Sequence, residues 1–369
     1  MKKRIIILLV LAIIMIQMLV PGIQATTEPV VTATSATVNF PLSIDFTMTA
    51  KSGADIIDVR LSYIVNRQEH ARVVSEVYVP VTTATSVDAV WTWDMRTTGG
   101  LPPGTRIEYW WTVTDITGQV ASSLPQNVMV EDNRYSWNRL VEGMVTLYWY
   151  EGDNEFGQEL MEATQQALSR LADTVGAELE SPVKLYIYAS AADLRGALIY
   201  AQEWTGGVAF PRFSTIAIGI GTSASDLAWG KSTIAHELTH LVVHQIIFNP
   251  LGDIPTWLDE GLAMFGEGEL GASFVMVFEN ARDTGTLFSV RSLASPFSAY
   301  ANQSYLAYAQ SYYIVTYLID TYGQDKMLTL LDTFGEGAGY DEALEKVYGF
   351  DMDGLNEEWR ASIGVPVTA

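Results

Sequence analysis

The stretch Thr233-Ile234-Ala235-His236-Glu237-Leu238-Thr239-His240-Leu241-Val242-Val243-His244-Gln245-Ile246-Ile247 decides how this chain is read. Ile234, Leu238, Leu241, Val242 and Gln245 recur at helical spacing and form one mostly apolar stripe, and Asn249-Pro250 closes the pattern. On such a helix, His236 and His240 lie one above the other, so two imidazoles facing a cleft can converge on one ion. Glu237 lies one residue round the cylinder, close enough to reach a metal-bound water without replacing it. The spacing predicts a helix over 233–247 that carries a zinc site.

A catalytic zinc takes three protein ligands and one water. The chain has no cysteine, which excludes thiolate sites, disulfides and cysteine nucleophiles, and leaves carboxylates and only four histidines. His244 continues the histidine row, but it stands about 12 Å along the axis from His236. That is too far for one ion with bonds near 2.1 Å, so His244 reads as a structural or supporting residue. Glu260, in Pro255-Thr256-Trp257-Leu258-Asp259-Glu260-Gly261-Leu262-Ala263, is the better third ligand. Pro250, Gly252 and Pro255 supply a turn, a second helix begins near Thr256, and its carboxylate can face back to the histidines. Without the upstream motif, Glu260 would read as an exposed helical glutamate.

Working outward, the two halves differ in texture. Residues Thr26 to Asp132 alternate with period two at Ile57–Ile64, Val73–Val79, Ala89–Trp93 and Arg106–Thr114. Turn clusters separate these runs at Lys51-Ser52-Gly53, Thr98-Gly99-Gly100, Pro102-Pro103-Gly104 and Thr117-Gly118, which predicts an all-β sandwich over residues 26–132. The segment Leu101–Trp111 resembles the turn and strand of fibronectin-III-like or immunoglobulin-like modules. His70, alone in this half, reads as an exposed residue. Glu131–Gly143 reads as a link. Residues 133–369 read as an α+β domain. Helical spacing appears at Phe156–Val175, Tyr305–Tyr322, Lys326–Phe334, Asp341–Tyr348 and Leu355–Ile363, with strands at Val183–Tyr188 and Ser214–Ile220. Glu151, Asp153, Glu155, Glu159 and Glu162 read as a solvated helix start, since their spacing fits no EF-hand loop.

Residues 1–25 have the order of a secretory signal: Lys2-Lys3-Arg4, the apolar run Ile5–Val20, and a small residue at Ala25. The run is shorter than the roughly 20 residues a spanning helix needs, so cleavage is expected over an uncleaved N-terminal anchor, with no membrane span in the mature chain. Apolar residues make up 49% and charged residues 17%, enough to bury a full core. The net charge of −22 excludes a general binder of nucleic acid, whose phosphates would be repelled.

The two motifs, His236-Glu237-x-x-His240 and Trp257-Leu258-Asp259-Glu260-Gly261-Leu262-Ala263, resemble those of the gluzincin metallopeptidases, most nearly the peptidase-MA-like group. The resemblance covers about Leu140 to Ile363 and implies a zincin-like metallopeptidase domain with a helical C-terminal part. It implies Zn2+ held by His236, His240 and Glu260, with Glu237 as general base. It also implies an oxyanion-stabilising side chain. No histidine follows His244, so a tyrosine of Tyr305–Tyr313 is expected, with Tyr308 and Tyr312, four apart, as the candidates. A strand at the cleft edge that pairs with an extended substrate is expected near Trp204–Phe210 and Ser214–Ile220. The thermolysin-like branch has an aspartate four residues past the third ligand. Met264 stands there, so that supporting carboxylate is expected to be absent.

The expected activity is hydrolysis of peptide bonds in a peptide or protein, outside the cytoplasm or at the cell surface. The Gly-x-Met-Glu-Asn anchor of M1-type aminopeptidases is absent, which favours an endopeptidase. Two other readings are a surface adhesion protein whose sandwich binds a partner and whose metal domain is vestigial, and a zinc hydrolase of non-peptide substrates.

Overall fold

The computed structural model describes residues 27–201, 205–298 and 300–365. The expected export segment, residues 1–25, lies outside them. In the N-terminal half, β1 (Val30–Asn39) and β4 (Ala84–Asp94) pair antiparallel with the first part of β2 (Ser43–Val65). The second part of β2 pairs antiparallel with β3 (Ser75–Tyr78) and β5 (Thr105–Asp115), and β5 carries β6 (Val120–Ser122) and β7 (Gln126–Val130). The turn expected at Lys51-Ser52-Gly53 is instead an irregularity within β2, where its register with β4 shifts between Lys51 and Ile56. The glycine there marks a kink, and the strand continues. The sheet thereby doubles back on one core: Phe46 of β2 meets Tyr109 of β5 edge-on at 5.0 Å, among buried Ile44, Leu61, Ile107 and Trp111.

A second sheet follows, in the order β11-β12-β10-β9-β8. Its strands are β8 (Asn138–Glu142), β9 (Val145–Trp149), β10 (Val183–Tyr188), β11 (Gly207–Phe210) and β12 (Thr215–Gly219). The central strands β9, β10 and β12 are parallel, and the two edges are antiparallel. Strand β8 lies inside the stretch read as a link. Period two sorts the central strands between two cores. Val145, Leu147, Val183, Leu185, Ile187, Ile216 and Ile218 face the helices, while Tyr148, Tyr186, Tyr188 and Ala217 face the N-terminal sheet. A sheet covered on both faces needs mostly apolar residues, which these strands have apart from Thr146, Lys184 and Thr215.

The junction includes a buried polar network. Asp132 is fully buried, accepts bonds from both the Arg134 Nε (2.8 Å) and Nη2 (2.6 Å), and takes the Tyr188 hydroxyl at 3.1 Å. His70 stacks on Phe248 at 4.0 Å, so it too touches the second half, although it is exposed as expected.

The helices are α1 (Asn154–Val175), α2 (Ala191–Arg195), α3 (Ala224–Ile246), α4 (Thr256–Glu267), α5 (Ala272–Thr284), α6 (Ala301–Tyr322), α7 (Gln324–Gly335), α8 (Tyr340–Tyr348) and α9 (Met352–Ser362). Helix α1 starts at Asp153, whose carboxylate accepts the Phe156 amide, in line with the acidic cluster being a helix start. Helix α3 begins well before the expected 233. Ser223 caps it by accepting the Asp226 amide. Gly230, a poor helix former, hides these first turns in the sequence. It is required by packing: a Cβ there would stand 2.6 Å from Ile220.

Candidate metal centre

Helix α3 buries Ile234, Ala235, Leu238, Leu241 and Val242, while α4 buries Trp257, Leu258 and Leu262. Their remaining faces bring polar side chains of the two helices together. His236 and His240 sit four apart on α3, and their Nε2 atoms are 3.3 Å from each other. The Glu260 Oε2 on α4 lies 3.5 Å from the first and 3.6 Å from the second. That oxygen is buried without a hydrogen-bond partner among the described residues. A buried, unsatisfied carboxylate oxygen facing two imidazole nitrogens is a costly arrangement unless something cationic completes it. Tetrahedral bonds of 2.0–2.2 Å place ligand atoms about 3.4 Å apart, which is the size of this triangle. Among the described residues, His236, His240 and Glu260 are the group able to hold a metal ion.

Each imidazole is fixed from behind. His236 Nδ1 stands 2.7 Å from Glu267 Oε1, and His240 Nδ1 stands 2.8 Å from Asp259 Oδ1. The carboxylates can only accept, so each Nδ1 donates, and with a metal bound each Nε2 would give its lone pair to the ion. Sequence reasoning missed both partners. Met264 lacks a carboxylate, as expected, and Glu267 at the end of α4 bonds His236 instead. Its spacing of seven from Glu260, two helical turns, is the signal that could have found it. Ser232 donates to the other oxygen of Glu267 at 2.8 Å. His244 is outside the triangle, as the axial distance requires. Its Nε2 is 3.3 Å from Asp259 Oδ2, so Asp259 lies between two histidines.

Burial alone would lower His236, but Glu260 and Glu267 outweigh it and lift it to about 9. Burial would likewise raise Glu260, but His236 and His240 pull it down to about 2. Burial raises Glu237 above the usual carboxylate range against the opposing pull of the two histidines. Such a carboxylate is a better proton acceptor than an exposed one.

Glu237 faces β11. A Cβ on Gly207 would stand 2.8 Å from its Oε1, so only glycine lets the strand approach this closely, and the Ala209 amide donates to its carboxylate. Among the described residues, strand β11 pairs with β12 alone, so apart from the Ala209 amide held by Glu237 its other edge is unpaired. Trp204, part of the same stretch in the sequence reading, lies outside the described residues.

The two tyrosines separate. Tyr308 is raised by burial and further by the charges of Glu260, Glu237 and Asp259, so its hydroxyl stays protonated beside the centre. Phe297 holds its ring edge-on at 5.2 Å. Tyr312 packs against Tyr313 at 5.5 Å and Phe265 at 6.2 Å.

The Peptidase MA superfamily matches this chain over residues 163–365, a span that holds the whole triangle. The chain belongs to the Peptidase MA superfamily. Membership in the Peptidase MA superfamily agrees with a possible His–His–Glu metal site on paired helices. Among solved structures, wild-type OgpA from Akkermansia muciniphila aligns with a TM-score of 0.23 and 10% identity, over 30% of this chain and 31% of that one. Catalytically inactive OgpA from the same organism, in complex with an O-glycopeptide (glycodrosocin) substrate, aligns with 0.22 and 11%, over 30% and 32%. The sulfane dehydrogenase SoxCD from Paracoccus pantotrophus aligns with 0.18 and 16%, over 26% and 23%. This chain thus covers about a third or less of each of these structures. Comparison with curated proteins finds no match. No described helix is long and apolar enough to cross a membrane.

Proposed function

We propose that this member of the Peptidase MA superfamily is an exported zinc metallopeptidase of gluzincin type, cutting within peptide or protein chains. The observation that carries the reading is the triangle of two imidazole nitrogens and one carboxylate oxygen, with edges of 3.3, 3.5 and 3.6 Å. His236, His240 and Glu260 would hold the ion, and nitrogen and carboxylate donors on helices suit zinc. Bound zinc supplies a water acidified to a pKa near about 7 and a charge that polarises the substrate carbonyl. Glu237 accepts the proton of the attacking water and passes it to the leaving amine. The Tyr308 hydroxyl donates a hydrogen bond to the oxygen that gains charge. The free edge of β11 holds an extended substrate backbone through main-chain hydrogen bonds. Tyr312 is an equal candidate in sequence, but the interaction of Tyr308 with the charges of Glu260 and Glu237 supports Tyr308.

In this reading residues 1–25 are the export signal, 26–132 an immunoglobulin- or fibronectin-III-like module, and 133–369 the peptidase domain. The module's contacts with β10 support a role in backing the catalytic sheet, beyond any surface partner it binds. The test is hydrolysis of a quenched fluorescent peptide by the full chain with zinc, with chelator, and with zinc restored. Glu237→Gln should keep zinc and lose about 10²–10⁴ in turnover. Undiminished cleavage by that variant, or by the chelated protein, contradicts the proposal.

A further inference from the structure

Trp229 lies seven residues before His236 on α3. Seven residues fall about 20° short of two full turns, so its side chain leaves the helix on the same face as the two imidazoles, about 10 Å nearer the N-terminus. The indole is 46% exposed, whereas Gly230 and Ile234, turned toward the sheet, are buried. A large exposed apolar side chain alone is ordinary. The backbone beside this one is not: a Cβ on Gly206 would stand 2.8 Å from the indole ring, and one on the adjacent Gly207 would stand 2.8 Å from Glu237. One short piece of edge strand therefore runs from the glutamate at the metal centre to the tryptophan.

The orientation of that edge is set by its pairing. The Gly219 amide donates to the Gly206 carbonyl, so Gly206 turns inward, while Gly207 and the Ala209 carbonyl turn to the outer edge, where the Ala209 amide is bonded to Glu237. An extended peptide gripped there, with its cleaved bond at the triangle, advances about 3.3 Å per residue. It reaches the indole after about three residues. Antiparallel addition, the more stable pairing, runs the peptide toward Gly206 and puts that residue on the carboxyl side of the cleaved bond.

We propose that Trp229 is a specificity-determining residue, a platform for a bulky apolar or aromatic side chain about three residues to the carboxyl side of the bond that is cut. The inference rests on the metallopeptidase reading above. An indole flanked by glycine backbone offers a flat apolar face, which favours aliphatic and aromatic side chains. Discrimination by one apolar contact of this kind is about 10- to 100-fold.

The test uses the zinc-loaded full chain and two peptides that differ only in phenylalanine or alanine at that position. The wild-type protein should cleave the phenylalanine peptide with a kcat/KM about 10- to 100-fold higher. Trp229→Ala should bring the ratio close to one, and Trp229→Phe should restore much of it. The same pair of peptides is titrated against Glu237→Gln, with and without Trp229→Ala, so that binding is read separately from turnover. A ratio unaffected by Trp229→Ala, in cleavage or in binding, overturns this inference alone. Binding that depends on Trp229 without cleavage by the wild-type protein supports it and overturns the peptidase reading. Neither binding nor cleavage overturns both.

Discussion

The Asp259 carboxylate accepts a hydrogen bond from His240 Nδ1 at 2.8 Å, and Asp259 immediately precedes Glu260 on α4. One turn of helix thus supplies both a candidate ligand and the group that aims another. Asp259 itself is held far below the usual carboxylate range: burial would raise it, but His240 and His244 more than compensate. It is therefore a permanent acceptor. Glu267 does the same for His236 from the far end of α4.

Removing either support should loosen the metal before it affects anything else. Asp259→Ala and Glu267→Ala are each expected to weaken zinc affinity about 10- to 100-fold. Competition with a chromophoric chelator measures this without reference to turnover. Unchanged affinity in both variants would mean that the Nδ1 contacts do not orient the imidazoles.

Tyr308 and Tyr312 offer a contrast within one helix. Losing an oxyanion donor costs about 10²–10³ in kcat. Tyr308→Phe should show a loss of that order with KM little changed, while Tyr312→Phe should stay near the wild-type rate. Steady-state kinetics on one peptide decides it. The reverse pattern would give the role to Tyr312.

The metal-free protein should be sensitive to pH in two windows. Glu260 is held at about 2 in the fold against an ordinary value of 4.5, so its contribution is present above 4.5 and is lost as pH falls through about 2. His236 is raised to about 9 against 6.5, so its contribution is complete below 6.5 and is lost as pH rises through about 9. Zinc needs the neutral imidazole and so gains affinity over the same rise. Thermal unfolding of the metal-free protein should therefore fall in Tm between pH 6.5 and 9, while the increment in Tm from zinc grows. Parallel curves with and without zinc would contradict the ion-pair account of the metal-free protein.

At the junction, Asp132 is buried with Arg134 and Tyr188. Asp132→Ala removes the acceptor and leaves a buried hydroxyl unpaired, for a cost of about 2–3 kcal/mol. Denaturant unfolding checks this, and a loss below about 0.5 kcal/mol, the scale of an ordinary surface substitution, would show that the network does not brace the two sheets.

The grouping of His236, His240 and Glu260 was largely legible from sequence because its parts are local. His236 and His240 share a helix face by spacing alone, and a short proline- and glycine-marked turn returns Glu260 to them. Glu267 was only partly legible: its spacing of seven puts it on the face of Glu260, but its reach to His236 depends on how α4 crosses α3. Strand β8 was hidden in a polar link, and β9 lacks simple amphipathic alternation because both its faces are covered. Helix α5 buries only Phe278 and Ala281, too few to draw a stripe. The N-terminal strands were legible where one face is wet, as along Arg106–Thr114. The continuity of β2 through Lys51-Ser52-Gly53 was not, since a kink and a turn share the same residues.

The account depends most directly on where a zinc ion sits. Anomalous diffraction at the zinc edge, on crystals of the full zinc-loaded chain, locates it. The account predicts one ion bonded at about 2.0–2.2 Å to His236 Nε2, His240 Nε2 and a Glu260 oxygen, with a remaining position open to solvent. A peak elsewhere, or an ion whose bonds leave Glu260 out, would contradict it.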